Sequence, residues 1–534
     1  MAPTQSIVPV KPIKTEISRN DFPEGFVWGC GTSAYQVCNI LDGTNGNIAV
    51  DMYSRYKEDI RMMKSMGFEA YRFSISWSRI LPGGKLSLGI NQEGIDYYND
   101  LINTLIANDI KPYVTLFHWD LPYLLEKEYG GFLSEKIVYD FRDFAELCFW
   151  EFGDRVQHWI TLNEAWTYSC QGYVNRIFPP GNGYGFGGDQ MNPRDNSVID
   201  QRKELEIGQL EKGIDELGKM AENEDLGVSF VPYRGVRVES QETFVFNNKT
   251  IVLRKLMSPP RDKAADKERA KEAYTVARNL LLSHAAAVQS YRKKFQEHQK
   301  GKIGITLVTH WFEPLNDTEK DRKAAKRALD FMLGWFLEPV LRGRYPQNMM
   351  DYAGHHIKPF SPEESNLLRG SLDFLGLNYY TAWYATHDDN PDAAEGYYRD
   401  QKTGSSWLYI VPWGIYKLLK SINDAFNNDT DKLPAIYITE NGCDEQNNHK
   451  LTPNTASQDT QRQNYFRDHL AKILEAMNKD HVKIEAYFAW SWCDNFEWYD
   501  GYRSRFGIVY VDYKNDLQRH AKDSAKWFAK FLQK

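Results

Sequence analysis

The chain has 534 residues, of which 42% are hydrophobic and 26% charged, and its formal net charge is −7. This composition is typical of an ordinary globular protein and excludes a disordered or fibrous chain. A mildly acidic chain without a basic face has no electrostatic reason to bind nucleic acid or an anionic membrane, so we expect neither as a partner.

The amino-terminal segment contains prolines and charges but no continuous apolar run. It matches neither a signal peptide nor a membrane anchor, so we interpret residues 1–20 as a flexible arm and expect a cytoplasmic protein. Six cysteines are scattered without a C-x-x-C pair, which also favours a reducing compartment. We interpret residues 21–534 as one domain.

Eight short apolar segments alternate with helical patterns along the chain. The segments are 26–33, 70–79, 111–120, 156–166, 302–306, 372–381, 435–442 and 485–492. The helical patterns at 53–67, 92–109 and 134–153 repeat apolar residues at three- and four-residue spacing. We therefore predict an α/β fold, a single (β/α)8 TIM barrel with long βα loops.

Six of these segments end in polar or aromatic residues. In a (β/α)8 barrel the carboxyl ends of the strands meet at one face, and the active site lies there. The residues that we expect to converge at this mouth are Arg72, His118, Glu164, Asn378, Glu440 and Trp490.

A highly charged stretch at about 192–270 departs from this alternation. We interpret it as an insertion after the fourth strand, with a short β-like piece at 227–253. Its charge runs are typical of solvated helices or a mobile flap, and a partner-binding role is the less favoured alternative.

Two glutamates stand at the ends of the fourth and seventh predicted strands, Glu164 in TLNEAW and Glu440 in YITENG, and the barrel would bring both to the same mouth. Cleavage of a glycosidic bond with retention needs two carboxyl groups, one that attacks the anomeric carbon and one that protonates the leaving oxygen. Either glutamate alone could equally be a structural carboxylate in a turn. Arg72 is suited to keep Glu440 ionised, and Tyr380 could orient it, although a buried tyrosine is as often a core residue.

Sugar recognition needs amides, imidazoles and carboxylates for the hydroxyl groups, and an indole under the ring. Residues of these types at the strand ends are Gln36, His118, Asn163, Glu497, Trp490 and Trp498. A lone histidine there is more often structural, but the adjacent Trp119 and Asp120 favour a functional role for His118. Gly183 to Gly188 matches G-x-G-x-x-G but follows Phe-Pro-Pro instead of a strand, so we predict no cofactor and no metal.

The motifs TLNEAW, LNYYT, ITENG and WSWCDNFEW, with YRFSISWSRILPGG, resemble glycoside hydrolase family 1. The resemblance implies a nucleophile at Glu440, an acid/base at Glu164, and support of Glu440 by Arg72 and Tyr380. It also implies that glucose is held by Gln36, His118, Asn163, Asn378, Trp490, Glu497 and Trp498, and we add Trp119 and Phe506 as substrate-binding residues. Phrases such as RALDFMLGWFLEP resemble the plant alkaloid glucosidases that act on strictosidine, raucaffricine and ipecac-type glucosides.

Three features depart from the family pattern. Gln36 runs through VCN directly into LDGTNGN, so the long loop that usually follows is missing and we expect a shortened wall at the mouth. Alanine replaces the usual proline after Glu164, which we expect to loosen that turn. The segment before LLLSHAAA is longer than usual, and Arg278 stands where histidine is common.

We therefore predict a retaining β-glucosidase that cleaves a β-D-glucoside of an apolar, monoterpenoid alkaloid aglycone through a covalent glucosyl-enzyme. Transglucosylation by the same site is one alternative, because an acceptor hydroxyl can replace water. A catalytically impaired barrel that binds or scaffolds its paralogues is another, motivated by the shortened loop and the insertion. The expected partner is a small-molecule β-glucoside, and the sequence leaves a homo-oligomer open.

Overall fold

The computed structural model describes residues 17–34, 49–181, 238–246, 249–256, 271–389, 396–408, 410–427 and 432–533. The chain divides into two compact units, residues 1–182 with 262–534, and residues 183–261. Within the second unit, the described residues form two antiparallel strands, Val238–Phe246 and Lys249–Leu256. Apart from these two strands, the predicted insertion at 192–270 lies outside the described residues. Residues 1–16 of the predicted arm lie outside them as well.

Eight parallel strands of the first unit close into a barrel in chain order. They are β1 (Val27–Gly31), β2 (Ala70–Ser74), β3 (Lys111–Phe117), β4 (His158–Asn163), β5 (Lys302–Val308), β6 (Phe374–Tyr379), β7 (Ala435–Asn441) and β8 (Ile484–Trp490). Gly31 lies opposite both Arg72 of β2 and Trp490 of β8, which closes the ring. The predicted (β/α)8 barrel is confirmed, and each of its strands overlaps a predicted segment, although Lys302–Val308 and Ile484–Trp490 extend beyond the predicted 302–306 and 485–492.

The strands form because their residues are apolar on both faces, as expected where helices cover the outside and other strands face the inside. Inside the barrel, Phe374 stacks on Tyr437 with ring centroids 4.4 Å apart. Tyr113 and Phe488 meet edge to face at 4.8 Å although β3 and β8 are not neighbours, so these rings fill the interior. These apolar side chains fill the amino-terminal part of the barrel interior, and polar side chains lie at the opposite end.

Helices cover the outside of the barrel. The α-helices are Met52–Ser65, Trp77–Ile80, Gln92–Ala107, Tyr123–Tyr129, Lys136–Phe152, Ala165–Ser169, Glu272–Lys294, Gln296–Gln299, Glu319–Leu329, Trp335–Arg342, Gln347–Ala353, Pro362–Leu368, Tyr397–Gln401, Pro412–Phe426, Pro453–Ala456, Thr460–Asp480 and Asp523–Phe531. Cys170–Val174 and Asp330–Gly334 are π-helical, and Arg19–Asp21, Leu86–Leu88, Gly131–Leu133 and Trp498–Asp500 are 3-10 turns. The three helices predicted from spacing are confirmed at Met52–Ser65, Gln92–Ala107 and Lys136–Phe152.

Shorter strands lie in the loops. Trp311–Pro314, Ala382–His387 and Thr403–Leu408 form one small sheet, Glu445–Gln446 pairs with Ser504–Arg505, and Val509–Asp512 pairs with Gln518–Ala521. The cysteines at 30, 148, 170, 443 and 493 are free thiols. No helix in the described part of the chain is both long and apolar enough to span a bilayer.

Candidate active site

The mouth of the barrel, at the carboxyl ends of its strands, brings the predicted residues together. Arg72 lies on β2, Asn163 ends β4 and Asn378 lies on β6. Glu440 lies on β7 and Trp490 ends β8. His118 and Tyr380 directly follow β3 and β6. The barrel therefore places side chains from the ends of six different strands in one buried cluster.

Glu440 is held by two donors. The Arg72 guanidinium forms a buried ion pair with its Oε1, and the Tyr380 hydroxyl donates to its Oε2. Arg72 also donates to the carbonyl oxygen of Thr439 at 3.3 Å. These contacts hold the Glu440 carboxyl group in one orientation.

Glu164 has a different environment, in which no cation among the described residues makes a hydrogen bond to it. The Asn378 amide donates to its Oε1 at 2.7 Å, and the Thr167 hydroxyl donates to its Oε2 at 2.7 Å. Its backbone is left-handed, with φ of 47°, and its amide donates to Thr306 of β5 at 2.9 Å. A non-glycine residue in this region costs about 1–3 kcal/mol and is typical of functional sites.

Asn163 connects the two glutamates. Its Oδ1 accepts from Arg72 Nη2 at 2.6 Å and from Asn378 Nδ2 at 3.2 Å. Because Arg72 binds Glu440 and Asn378 binds Glu164, both carboxyl groups belong to one hydrogen-bonded network. Asn163 is almost fully buried, so the network lies out of bulk water.

The surroundings of Glu164 determine its protonation. Burial, and next the charge of Glu440, raise the pKa of Glu164 to about 8. Asn378, Thr167 and Arg72 oppose this shift but are outweighed. Burial and the neighbouring carboxylates also raise the pKa of Tyr380 well above its usual range, so it remains a hydrogen donor. At neutral pH Glu164 is therefore protonated.

Aromatic rings line the other side of the mouth. His118 lies parallel to Trp490, with ring centroids 6.0 Å apart, and to Trp498 at 6.1 Å. Trp119 packs against Trp498 at 4.6 Å, and its indole nitrogen donates to the carbonyl oxygen of Asn163 at 2.8 Å. Burial and the Arg72 charge lower the pKa of His118 well below its usual range, so its imidazole is neutral.

The remaining predicted residues are placed as follows. Phe506 meets Tyr380 edge to face at 5.9 Å. Burial, followed by the charges of Asp444, Asp500 and Glu440, raises the pKa of Glu497 well above its usual range. Its Oε1 is buried and has no hydrogen-bond partner among the described residues. Gln36, with the shortened loop after it, lies outside the described residues.

The structure adds three residues that the sequence interpretation missed. Thr167 and Thr439 are hydroxyl partners of the site, and Phe178 stacks on Trp119 at 5.5 Å. Thr167 could have been found by its position one helical turn after Glu164. Thr439 stands next to Glu440 but points to Asn378, a contact that needs the barrel geometry.

The structure places both residues that depart from the family pattern, Ala165 and Arg278. Ala165 is buried and starts the helix Ala165–Ser169, directly after the left-handed Glu164. Arg278 lies on the helix Glu272–Lys294 and pairs with Glu135 at 3.2 Å and with Glu364 at 2.5 Å. It therefore joins three outer segments of the barrel through ion pairs.

One group in the described part of the chain, His355, His356 and Asp400, places its donor atoms within 4.8 Å of one another, as a metal ion requires. Asp400 Oδ2 accepts from His356 Nδ1 and from the Tyr274 hydroxyl, each at 2.8 Å. These hydrogen bonds already satisfy the buried carboxylate, so a hydrogen-bonded network explains the group.

Comparison with known proteins shows the family of the chain. Glycosyl hydrolase family 1 matches residues 37–192 and 241–534. Raucaffricine-O-β-D-glucosidase from Rauvolfia serpentina is 43% identical, over 96% of this chain and 91% of that protein. Ipecoside β-D-glucosidase from Carapichea ipecacuanha is 41% identical, over 98% and 93%. A crystal structure of a rice β-glucosidase has a TM-score of 0.78 at 36% identity, covering 97% of this chain and 100% of that one. The chain therefore belongs to glycosyl hydrolase family 1 and is a glycoside hydrolase of the β-glucosidase type.

Proposed function

We propose that this β-glucosidase works with retention, with Glu440 as nucleophile and Glu164 as acid/base, on β-D-glucosides of apolar, monoterpenoid alkaloid aglycones. The observation that carries the proposal is the unequal environment of the two carboxyl groups. Glu440 is paired with Arg72 and Tyr380, whereas burial beside Glu440 raises the pKa of Glu164 to about 8. Carboxyl groups whose environments separate their protonation states take the base and acid roles.

In the first step, a carboxylate oxygen of Glu440 attacks the anomeric carbon and forms an ester bond. The bond between that carbon and the aglycone oxygen breaks, and the proton of Glu164 passes to the departing oxygen. Arg72 and Tyr380 orient the attacking carboxylate, while Asn378 and Thr167 orient the acid. The charge removed from Glu440 is thus balanced by the charge that appears on Glu164.

In the second step, the ionised Glu164 accepts a proton from water as the water oxygen attacks the anomeric carbon. The ester bond breaks, and Glu440 regains its negative charge beside Arg72. A mutant rice β-glucosidase at 36% identity holds Glc in a covalent complex, which supports an intermediate of this kind here.

Glucose would occupy the space between the carboxyl groups and the aromatic wall. His118, Asn163, Asn378 and Glu497 supply hydrogen-bonding groups, and the indole rings of Trp490 and Trp498 supply flat faces. Among the described residues Glu497 Oε1 has no hydrogen-bond partner, and it is suited to accept from a sugar hydroxyl, because a buried acceptor without a partner costs free energy. Trp119 and Phe506 would complete the walls, and Gln36 remains a prediction.

The aglycone proposal is supported by aromatic surface near Glu164 and by the substrates in the relatives' names. Trp166 is partly exposed, and its indole nitrogen donates to the Tyr397 hydroxyl at 2.7 Å. Phe178 is also partly exposed beside Trp119. Raucaffricine and ipecoside glucosidases are relatives at 43% and 41% identity.

We expect kcat/KM to be at least about 10-fold higher for a monoterpenoid alkaloid glucoside than for cellobiose, because an apolar aglycone gains from burial against these rings. Initial rates with both glucosides, and with phenyl β-D-glucoside as a reference, measure this preference. Equal values for the alkaloid glucoside and cellobiose would contradict the proposed aglycone class without touching the glucosidase assignment.

The pH dependence of kcat/KM should follow the ionisation of Glu164. Because the proposed acid must be protonated in the free enzyme, kcat/KM should stay high below its raised pKa and fall as the pH rises through about 8. An ordinary glutamate would give this loss near its usual 4.5. Values of kcat/KM with phenyl β-D-glucoside from about pH 4 to about pH 9 measure this alkaline limb of the pH profile. A profile that is flat over this range, or one that falls near 4.5, would contradict the assignment.

A further inference from the structure

A chain of side-chain hydrogen bonds runs through the barrel interior to Glu164. Thr306 of β5 donates its hydroxyl to Thr439 Oγ1 of β7 at 3.2 Å. Thr439 donates to Asn378 Oδ1 of β6 at 2.7 Å. Asn378 then donates through Nδ2 to Glu164 Oε1 at 2.7 Å. All four side chains are buried. If one of these hydrogen bonds is lost, water cannot easily take its place, and the group left without a partner costs free energy.

The orientation of the Asn378 amide follows from its neighbours. Asn163 Oδ1 already accepts from Arg72 Nη2, so the Asn378 atom that faces it must be the amino nitrogen. The same nitrogen donates to Glu164 Oε1, and the amide oxygen therefore faces Thr439. Thr439 accepts from Thr306 and donates its own proton to this oxygen. The Thr439 hydroxyl therefore anchors the Asn378 amide in the orientation that donates to Glu164.

The barrel leaves room for this contact at Gly376. Thr306 and Thr439 lie on β5 and β7, which are separated by β6, and Gly376 of β6 is opposite Thr306. A Cβ atom on Gly376 would lie 2.3 Å from Thr306 Oγ1 and 3.1 Å from Thr306 Cα. A glycine at this position lets the Thr306 hydroxyl reach across β6 to Thr439.

We propose that Thr439 is a positioning residue for the acid/base, which acts by holding the Asn378 amide in the orientation that donates to Glu164. The proposal rests on the acid/base role proposed for Glu164. Without the Thr439 hydroxyl, the amide is no longer oriented, and the proton of Glu164 loses its alignment with the leaving oxygen. Loss of a hydrogen bond that favours the ionised form of Glu164 also moves its pKa upward.

The test is Thr439→Val, which removes the hydroxyl at nearly constant volume, with Thr439→Ser as the matched variant that keeps it. Thr439→Ala takes the place of the valine variant if that variant does not fold. We compare kcat/KM, which reports the first step, for phenyl β-D-glucoside and 2,4-dinitrophenyl β-D-glucoside. The first leaving group needs a proton and the second does not.

Thr439→Val should lose about 10-fold or more in kcat/KM with the phenyl glucoside and less than about 2-fold with the dinitrophenyl glucoside. Its alkaline limb should move to higher pH, and Thr439→Ser should restore both rates to within about 2-fold. Thr306→Val should cost at most about 3-fold, because Thr439 keeps its proton for Asn378. Equal losses on both substrates, or no loss, would overturn the proposal.

Glu164→Gln in the same assay separates the acid/base role of Glu164 from the positioning role of Thr439. If it slows the phenyl glucoside far more than the dinitrophenyl glucoside while Thr439→Val does not, the positioning role alone is wrong. If Glu164→Gln slows both substrates equally, Glu164 is not the acid, and the proposed function and the positioning role both fail.

Discussion

Glu440→Gln is expected to lower kcat/KM by about 10⁴-fold or more on every glucoside, including those with activated leaving groups. The amide cannot attack the anomeric carbon, so the first step has no nucleophile. The substitution also replaces a carboxylate by a neutral group beside the buried Arg72, which leaves that guanidinium without its counter-charge. Initial rates with 2,4-dinitrophenyl β-D-glucoside measure the loss without any contribution from acid catalysis.

Glu485→Gln is the matched control for this variant. Glu485 lies at the amino-terminal end of β8, where it pairs with Lys302 at 3.5 Å, so its replacement should leave kcat/KM within about 2-fold. A Glu440→Gln enzyme that retains more than about 1% of the wild-type kcat/KM would contradict the nucleophile assignment.

Glu164→Gln is expected to separate substrates by their leaving groups. It should lower kcat/KM by about 10²- to 10⁴-fold with phenyl β-D-glucoside, because the leaving oxygen has lost its proton donor. The dinitrophenyl glucoside should still form the glucosyl-enzyme at nearly the wild-type rate. Its turnover should then be limited by the second step, which has lost its base.

Azide provides the control for this substitution. A small anion does not need a base to attack the glucosyl-enzyme, so azide should raise the turnover of Glu164→Gln on the dinitrophenyl glucoside. The product should be β-D-glucosyl azide, since two inversions give net retention. An α-glucosyl azide, or no acceleration by azide, would contradict a retaining mechanism with Glu164 as acid/base.

The fold could be predicted because each strand carries its own signal. Apolar runs that end in a polar residue, separated by helices with apolar residues at three- and four-residue spacing, are the local consequence of a closed barrel. The pairing of Arg72 with Glu440 also followed from the sequence, since both residues stand near the carboxyl ends of parallel strands.

Other parts of the site depend on contacts that no local pattern records. Thr439 was not expected to matter, because its partner Asn378 lies on the neighbouring strand, 61 residues away in the chain. The left-handed backbone of Glu164 was also not predicted, since glutamate has no local preference for that conformation. Arg278 stood out as a departure, yet its partners Glu135 and Glu364 come from distant segments, so its structural role needed the folded chain.

The proposed mechanism requires a covalent bond between glucose and Glu440, and an activated 2-deoxy-2-fluoro-β-D-glucoside tests for this bond directly. The fluorine slows hydrolysis of the glucosyl-enzyme, so the intermediate accumulates and is visible by intact-protein mass spectrometry. We predict one added fluoroglucosyl group per chain, and peptide mapping should place it on Glu440. An adduct on another residue, or a folded protein that turns over glucosides without forming an adduct, would contradict the proposed mechanism.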